Sequence, residues 1–286
     1  GTFSLTWSPS SDLGGSGIKG YIVYRGDGTG TKSGTANIEV TANSYFENNL
    51  PEGKYLYSIY ASDNANNSTK LLKDSLIPSV TIVVDKTPPT GSIKINNDAS
   101  YTTSTSVTLG LSATDTGDAG IDKLMFSLDN LNWLAPLPYT TNASTTLSST
   151  NGIKYAYVKF SDKAGNWSQV YSDSIILDNT KPVISGISDS PDPFYPNKGQ
   201  ASKINYTATD NLAGSLSVSV SIYTSGGGLV RTLGPYSKAQ GASYITWDGK
   251  NSSGAVVGNA TYKYNIKAVD AAGNTVTSVS YSVTKK

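Results

Sequence analysis

Asp63-Asn64-Ala65-Asn66-Asn67, Asp162-Lys163-Ala164-Gly165-Asn166 and Asp270-Ala271-Ala272-Gly273-Asn274 write one phrase three times. In each, an Asp precedes an Asn by four residues, and an alternating, aromatic-rich run leads into the Asp. The three Asp residues stand 99 and 108 apart, about one small all-β domain per copy. Self-similarity at such an interval marks an array of domains. Two and four residues before the Asp lie Ala61 and Ile59, Phe160 and Val158, and Ala268 and Ile266, all apolar. Alternate residues of a strand share a face, so these positions are expected to point inward. Tyr55, Tyr57, Tyr262 and Tyr264 extend that face.

Working outward, 286 residues alone suggest about two domains, and the repeat raises the expectation to three, each with one modest core. Abundant Tyr, Thr, Val and Ile, interrupted by Gly, Asn, Asp and Ser, is the composition of an all-β chain. The net charge is +1, with 22 basic and 21 acidic residues and no basic run. Nucleic-acid binding requires a basic footprint and is therefore not expected. No apolar stretch approaches the roughly 20 residues of a membrane span. The polar start at Gly1 carries no signal peptide, which is read as processing or as recombinant expression of a chosen segment. With no Cys, disulfide and thiol chemistry are excluded. With no His, the usual general base, the Ser-His and Cys-His arrangements and the commonest zinc ligand are also missing.

Three segments follow: 1–86, 87–179 and 180–286. In the first, Leu5-Thr6-Trp7 and Tyr21-Ile22-Val23-Tyr24-Arg25 alternate as strands, and Leu50-Pro51-Glu52-Gly53-Lys54-Tyr55 opens another. These residues resemble a fibronectin type III domain, and the last six its tyrosine corner, where a Tyr hydroxyl ties a strand start to nearby backbone. Such domains begin with a strand ahead of the Trp-bearing one, and only Gly1 and Thr2 are available for it. The first strand is therefore expected to be missing, with the chain starting inside a longer protein. The linkers Val83–Pro89 and Leu177–Pro182 each place an Asp at a strand end with Pro soon after. Proline cannot extend the preceding ladder.

In the middle segment the runs Val107–Ala113, Ile121–Leu128 and Ile153–Phe160 read as strands, and Asn151-Gly152 as a tight turn. The linker DKTPP and the loop DKAGN resemble bacterial Ig-like repeats of surface proteins. The last segment carries Ser190–Pro196, Ile204–Tyr206, Val218–Tyr223, Val230–Leu233, Trp247-Asp248-Gly249 and Tyr262–Ile266 in that order. It is similar to the Ig-like domain named after the flagellar hook-capping protein. These resemblances imply an all-β chain of three tandem Ig-like or fibronectin-like β-sandwiches from a bacterial surface or secreted protein. A fold of this kind names no activity.

A second Asp recurs upstream of each phrase. Asp12 precedes Gly17-Ile18 and Asp115 precedes Gly120-Ile121 by the same interval, while Asp210 has a shorter loop ending at Gly214. In such sandwiches this loop and the Asp-to-Asn loop share one pole, where the preceding linker also arrives. Asp85 is thus expected near Asp115, Asp162 and Asn166, with Asp118 in reach, and Asp178 near Asp210, Asp270 and Asn274. Three carboxylates, an amide and loop carbonyls could supply the six to eight oxygens of Ca²⁺, and without a cation they would repel one another. Asp12, Asp63 and Asn67 lack a linker Asp and form the weaker set. A second reading stays open, in which these Asp and Asn side chains only bond turn amides.

Other signals weigh less. Asp115-Thr116-Gly117 spells the aspartic-protease triplet, but that chemistry needs a second copy sharing a proton. Gly226-Gly227-Gly228 precedes a strand and reads as a hairpin turn, not a phosphate cradle. Trp7 and Trp247 sit in strand patterns as core. Trp133 and Trp167 adjoin turns, where an exposed ring could stack on sugar. The expectation is a non-catalytic stalk or adhesion segment, stiffened by calcium at its junctions. The alternative is an ancillary region of a secreted hydrolase. Partners would be other domains of a longer chain, a polysaccharide or another surface protein.

Overall fold

A computed structural model describes residues 1–26, 36–69, 79–212 and 214–286. Strands dominate, and they form three sandwiches of paired sheets. In the first, β1 (Phe3–Thr6) pairs with β4 (Ser44–Glu47), facing a sheet ordered β3 (Ala36–Val40), β2 (Ile18–Gly26), β5 (Gly53–Asp63), β6 (Ser79–Val84). Trp7 falls just past β1 and is half-buried, its ring edge-on to Tyr21 at 5.3 Å. The tyrosine corner is present, since the Tyr55 hydroxyl donates to the Pro51 carbonyl at 3.1 Å.

The middle sandwich uses β7 (Thr90–Ile95), β8 (Tyr101–Thr102), β9 (Ser106–Thr114), β10 (Ile121–Ser127), β11 (Leu137–Pro138), β12 (Asn142–Thr146), β13 (Gly152–Asp162) and β14 (Tyr171–Leu177). Its sheets run β12-β9-β7 and β11-β10-β13-β14-β8.

In the third, β15 (Val183–Ser190), β16 (Ser202–Thr209) and β19 (Gly241–Trp247) form one sheet. The other is ordered β18 (Leu229–Ala239), β17 (Ser215–Tyr223), β20 (Ala260–Val269) and β21 (Thr275–Thr277), with β22 (Tyr281–Lys285) also on β20. A second tyrosine corner, not read from the sequence, lies here: the Tyr262 hydroxyl donates to the Gly258 carbonyl at 2.8 Å. The Gly226–Gly228 run turns the β17–β18 hairpin, closed by Thr224 N–H on the Gly228 carbonyl at 2.8 Å.

Internal contacts divide the chain into two compact units. One is Gly1–Lys94 with Gly110–Ala143 and Ala156–Ser172, and the other is Ile95–Leu109 with Ser144–Tyr155 and Asp173–Lys286. The inward face expected before each repeated Asp is present. Val158, Phe160, Ile266 and Ala268 are fully buried and Ala61 nearly so, while Ile59 is half-buried. Tyr57, Tyr262 and Tyr264 are buried on it and Tyr55 is half-buried. Trp247 is fully buried between Phe194 and Tyr262, with ring centroids 5.4 and 5.1 Å away. It belongs to the apolar cluster that fills the third sandwich. Burying such aromatics removes about 150–250 Å² each from water, which makes them the main apolar contributors to a small core.

Candidate metal centres

The four-residue spacing of the repeated phrase closes a bracket. In all three copies the Asp N–H donates to the Asn carbonyl, at 3.0, 3.2 and 3.1 Å for Asp63, Asp162 and Asp270. The Asp carboxylate answers by accepting the Asn backbone N–H, at 2.7, 2.9 and 2.8 Å. It also accepts the Asn side-chain amide, at 2.8, 2.8 and 2.9 Å. This holds the carboxyl of Asp63 below the ordinary carboxylate range, chiefly through the Asn67 side-chain bond.

Strand register explains why the upstream acidic loop lies beside the bracket. Asp63 stands opposite Ile18 at the start of β2, and Asp162 opposite Ile121 at the start of β10. Both ladders slip by a bulge just after that pair. The loops are tied by Asn64 N–H on the Gly17 carbonyl and Lys163 N–H on the Gly120 carbonyl, each at 3.0 Å. The five-residue interval has its reason here. Asp12 accepts Gly17 N–H at 2.9 Å and Asp115 accepts Gly120 N–H at 2.6 Å, both glycines having positive φ, +83° and +78°. The shorter third loop uses Asp210 on Leu212 N–H at 3.0 Å.

The linkers complete two trios. Asp85, Asp115 and Asp162 each offer a carboxylate oxygen within 4.8 Å of the others, and so do Asp178, Asp210 and Asp270. Each trio lies within one unit. Asp85 and Asp178 are buried, as are Asp162 and Asp270, whereas Asp115 and Asp210 are partly exposed. Asp85 accepts Thr87 N–H at 2.8 Å and Ala119 N–H at 3.0 Å. Its place is made by Gly117, where an added Cβ would lie 2.0 Å from an Asp85 carboxylate oxygen. Asp178 accepts Thr180 N–H at 3.1 Å and the Asn151 side-chain amide at 3.0 Å. Burial raises the carboxyl of Asp178, and the charges of Asp210 and Asp270 push the same way.

Asn166 and Asn274 do more than close their brackets. Their side-chain amides also donate to the backbone carbonyls of the linker residues Asp85 and Asp178, at 3.0 and 2.9 Å. Among the described residues, Asn67 makes only the bracket bonds, and Asp12 and Asp63 are in no trio. Asp118 stands apart from its neighbouring trio, its carboxylate held by Lys54 Nζ at 2.9 Å. Asn151, which also donates to Thr180 Oγ1 at 2.7 Å, was not foreseen as a linker contact, because an Asn before Gly reads as turn chemistry alone.

Three carboxylates whose oxygens lie this close can surround one cation, because ligands of Ca²⁺ sit about 2.3–2.6 Å from it. The amide donors do not exhaust them, since each carboxylate oxygen has two lone pairs. Trp133 and Trp167 are both half-buried. Lys159 Nζ lies 4.5 Å from the Trp133 ring centroid, and Trp167 forms a bridge with Ser161 beside the Asn166 bracket.

Two stretches of the chain match bacterial Ig-like families. Residues 197–272 match the FlgD Ig-like domain, and residues 39–127 match the Bacterial Ig-like domain (group 3). Exoglucanase B of Cellulomonas fimi is 33% identical over 157 residues, which cover 52% of this chain and 13% of that protein. The similarity thus spans a small part of the relative's length. Among solved structures, a tetra-tandem repeat in the extending region of a large adhesion protein is 20% identical, with a TM-score of 0.35. That match covers 93% of this chain and 66% of the other. The fibronectin(III)-like modules of Clostridium thermocellum CbhA are 14% identical, with a TM-score of 0.38, covering 68% of this chain and 92% of theirs. No helix among the described residues is long and apolar enough to cross a membrane.

Proposed function

We propose that this chain is a non-catalytic spacer or adhesion segment of a secreted or surface-exposed bacterial protein, with Ca²⁺ bound where each linker meets the next sandwich. The observation that carries the reading is the recurrence of one trio, a linker Asp, an upstream-loop Asp and a bracket Asp, at two linkers. The cation would neutralise carboxylates that otherwise repel and would tie a linker residue to two loops of the following domain. Extracellular modules bind calcium at about 10⁻⁴–10⁻³ M, so millimolar Ca²⁺ adds only about 1–2 kcal/mol per site. That is enough to bias a hinge. Calorimetric titration of Ca²⁺ into chelator-treated protein is the test. Two sites are expected, each removed by Asp85→Asn or Asp178→Asn, and the absence of both heat and a melting shift would reject the reading.

The match to Exoglucanase B supports a second reading, an ancillary region of a secreted polysaccharide hydrolase. Retention on insoluble cellulose, lost in Trp133→Ala or Trp167→Ala, is its expected signature. Free passage of the unsubstituted chain through the matrix would remove the carbohydrate-binding version.

A further inference from the structure

We propose that a cleft in the third sandwich, distinct from the acidic trios, binds a carboxylate-bearing sugar, a uronic acid residue of an acidic polysaccharide. The cleft measures about 420 Å³ and lies between the Pro196–Lys198 turn, the loop after β19 and the end of β22. That volume is in the range of small-molecule sites, about 300–1,000 Å³.

Its charge selects an anion. Lys250, Lys285 and Lys286 line it, against a single acidic side chain, Asp248. Asp248 is already engaged, accepting from Arg231 at 3.0 Å and from the Lys250 backbone N–H at 3.1 Å, while the Lys250 ammonium lies 4.0 Å from its other oxygen, a loose pair that a ligand carboxylate can share. Lys285 is only 6% exposed, yet its ammonium donates to a neutral partner, Asn259 Oδ1, at 2.8 Å. Among the described residues it makes no ion pair. A buried ammonium is stabilised most by an anionic partner, and a ligand carboxylate would provide one.

The remaining lining selects a sugar over a simple ion. Asn197, Gln200 and Asn259 offer amides for hydroxyl groups. The Gln200 carbonyl oxygen is committed to Tyr195 N–H at 3.0 Å, which leaves its NH₂ group as a donor. Pro196 and the exposed Val256 give apolar surface for the C–H face of a ring.

The site is also preorganised. Buried Trp247 donates from Nε1 to the Lys250 carbonyl at 3.0 Å, and Lys286 N–H bonds the Phe194 carbonyl at 3.0 Å. Gly249, at φ +75°, lets its loop pack closely against two of the lining residues, since a Cβ there would lie 2.7 Å from Pro196 Cγ and 3.5 Å from Lys285 Cε. Fixed donors reduce the ordering cost of binding.

The test is calorimetric titration with trigalacturonate in the presence of chelator, so that the outcome is independent of the calcium reading. Cellotriose and inorganic sulfate serve as comparison ligands. Millimolar or tighter binding of trigalacturonate is expected, weakened by salt and at least tenfold weaker in Lys250→Gln and Lys285→Met. Lys285 is buried and its substitution could disturb folding, so exposed Lys250 carries the decision if Lys285→Met melts early. No heat at about 10 mM ligand, unchanged affinity in Lys250→Gln, or equal binding of cellotriose or sulfate would overturn the proposal.

Discussion

The side-chain amide of Asn166 donates to the backbone carbonyl of Asp85 across 3.0 Å, joining residues 81 apart in sequence. Its other amide bond, to the Asp162 carboxylate at 2.8 Å, makes the Asn a clamp between bracket and linker. Removing it leaves a buried carboxylate and a linker carbonyl short of a donor, at about 1–3 kcal/mol. Asn166→Ala and Asn274→Ala are therefore expected to lower stability by that amount. Asn67→Ala, which breaks only the exposed side-chain bond to Asp63 and keeps the backbone one, should cost less. Scanning calorimetry of the three variants checks the order.

Two glycines of one loop should behave differently. At Gly120 the φ is +78° and nothing lies within 4 Å of an added Cβ, so Gly120→Ala should cost about 1–2 kcal/mol of backbone strain and leave cation affinity intact. At Gly117 an added Cβ would meet an Asp85 carboxylate oxygen at 2.0 Å. Asp85 would have to swing out, giving up the N–H donors of Thr87 and Ala119. Gly117→Ala should cost about 2–4 kcal/mol from these charge-assisted bonds and abolish calcium heat at that site alone. Equal calcium affinity in the two variants would count against Asp85 as a ligand.

How far the sequence carried the reading depends on which residues are considered. The sandwiches were legible because Phe160/Val158 and Ala268/Ile266 keep period two into a repeated Asp and point inward, whereas in the first copy Ala61 is buried and Ile59 only half so. The meeting of Asp85 with Asp115 and Asp162 was legible because fold-level register places those loops at one pole. The use of the Asn side chain was not. Asn166 and Asn67 occupy the same place in the phrase, and only a linker carbonyl within reach of Asn166 separates them. The lysine cleft was equally hidden, because Lys250 and Lys285 come from different strand ends and form no run in sequence.

Acid sensitivity should run in an unusual direction at Asp189. Burial raises this carboxyl, the nearby Asp192 charge adds to the effect, and the bond from the Tyr264 hydroxyl at 3.0 Å opposes it. One carboxylate oxygen is buried with no partner among the described residues. A raised folded value means the native state holds the proton more tightly than the unfolded chain. Stability from this group therefore falls as pH rises from the ordinary Asp value, about 3.9, through the raised one. Asp189→Asn removes that loss while keeping an acceptor for Tyr264. Its melting temperature should exceed that of the unsubstituted protein by a few degrees at pH 7, with the gain vanishing below about pH 4. A gain independent of pH would remove the electrostatic explanation.

Trp247 and Trp7 provide the last contrast, because both carry an indole N–H into a sandwich interior and only one finds an acceptor. Trp247 is fully buried and its Nε1 donates to the Lys250 carbonyl at 3.0 Å. Trp7 is half-buried, and its Nε1 is enclosed without a partner among the described residues. Trp247→Phe thus removes ring volume and a buried hydrogen bond together, at about 2–4 kcal/mol. Trp7→Phe removes ring volume but also relieves an unsatisfied donor, so its cost should stay near or below about 1 kcal/mol. Because a three-sandwich chain need not unfold in one step, the variants should be compared by scanning calorimetry with resolved transitions. Trp247→Phe should shift one transition and also weaken trigalacturonate binding, since it frees the loop bearing Lys250. If it lowers stability while leaving that affinity unchanged, Trp247 supports the core without organising the cleft.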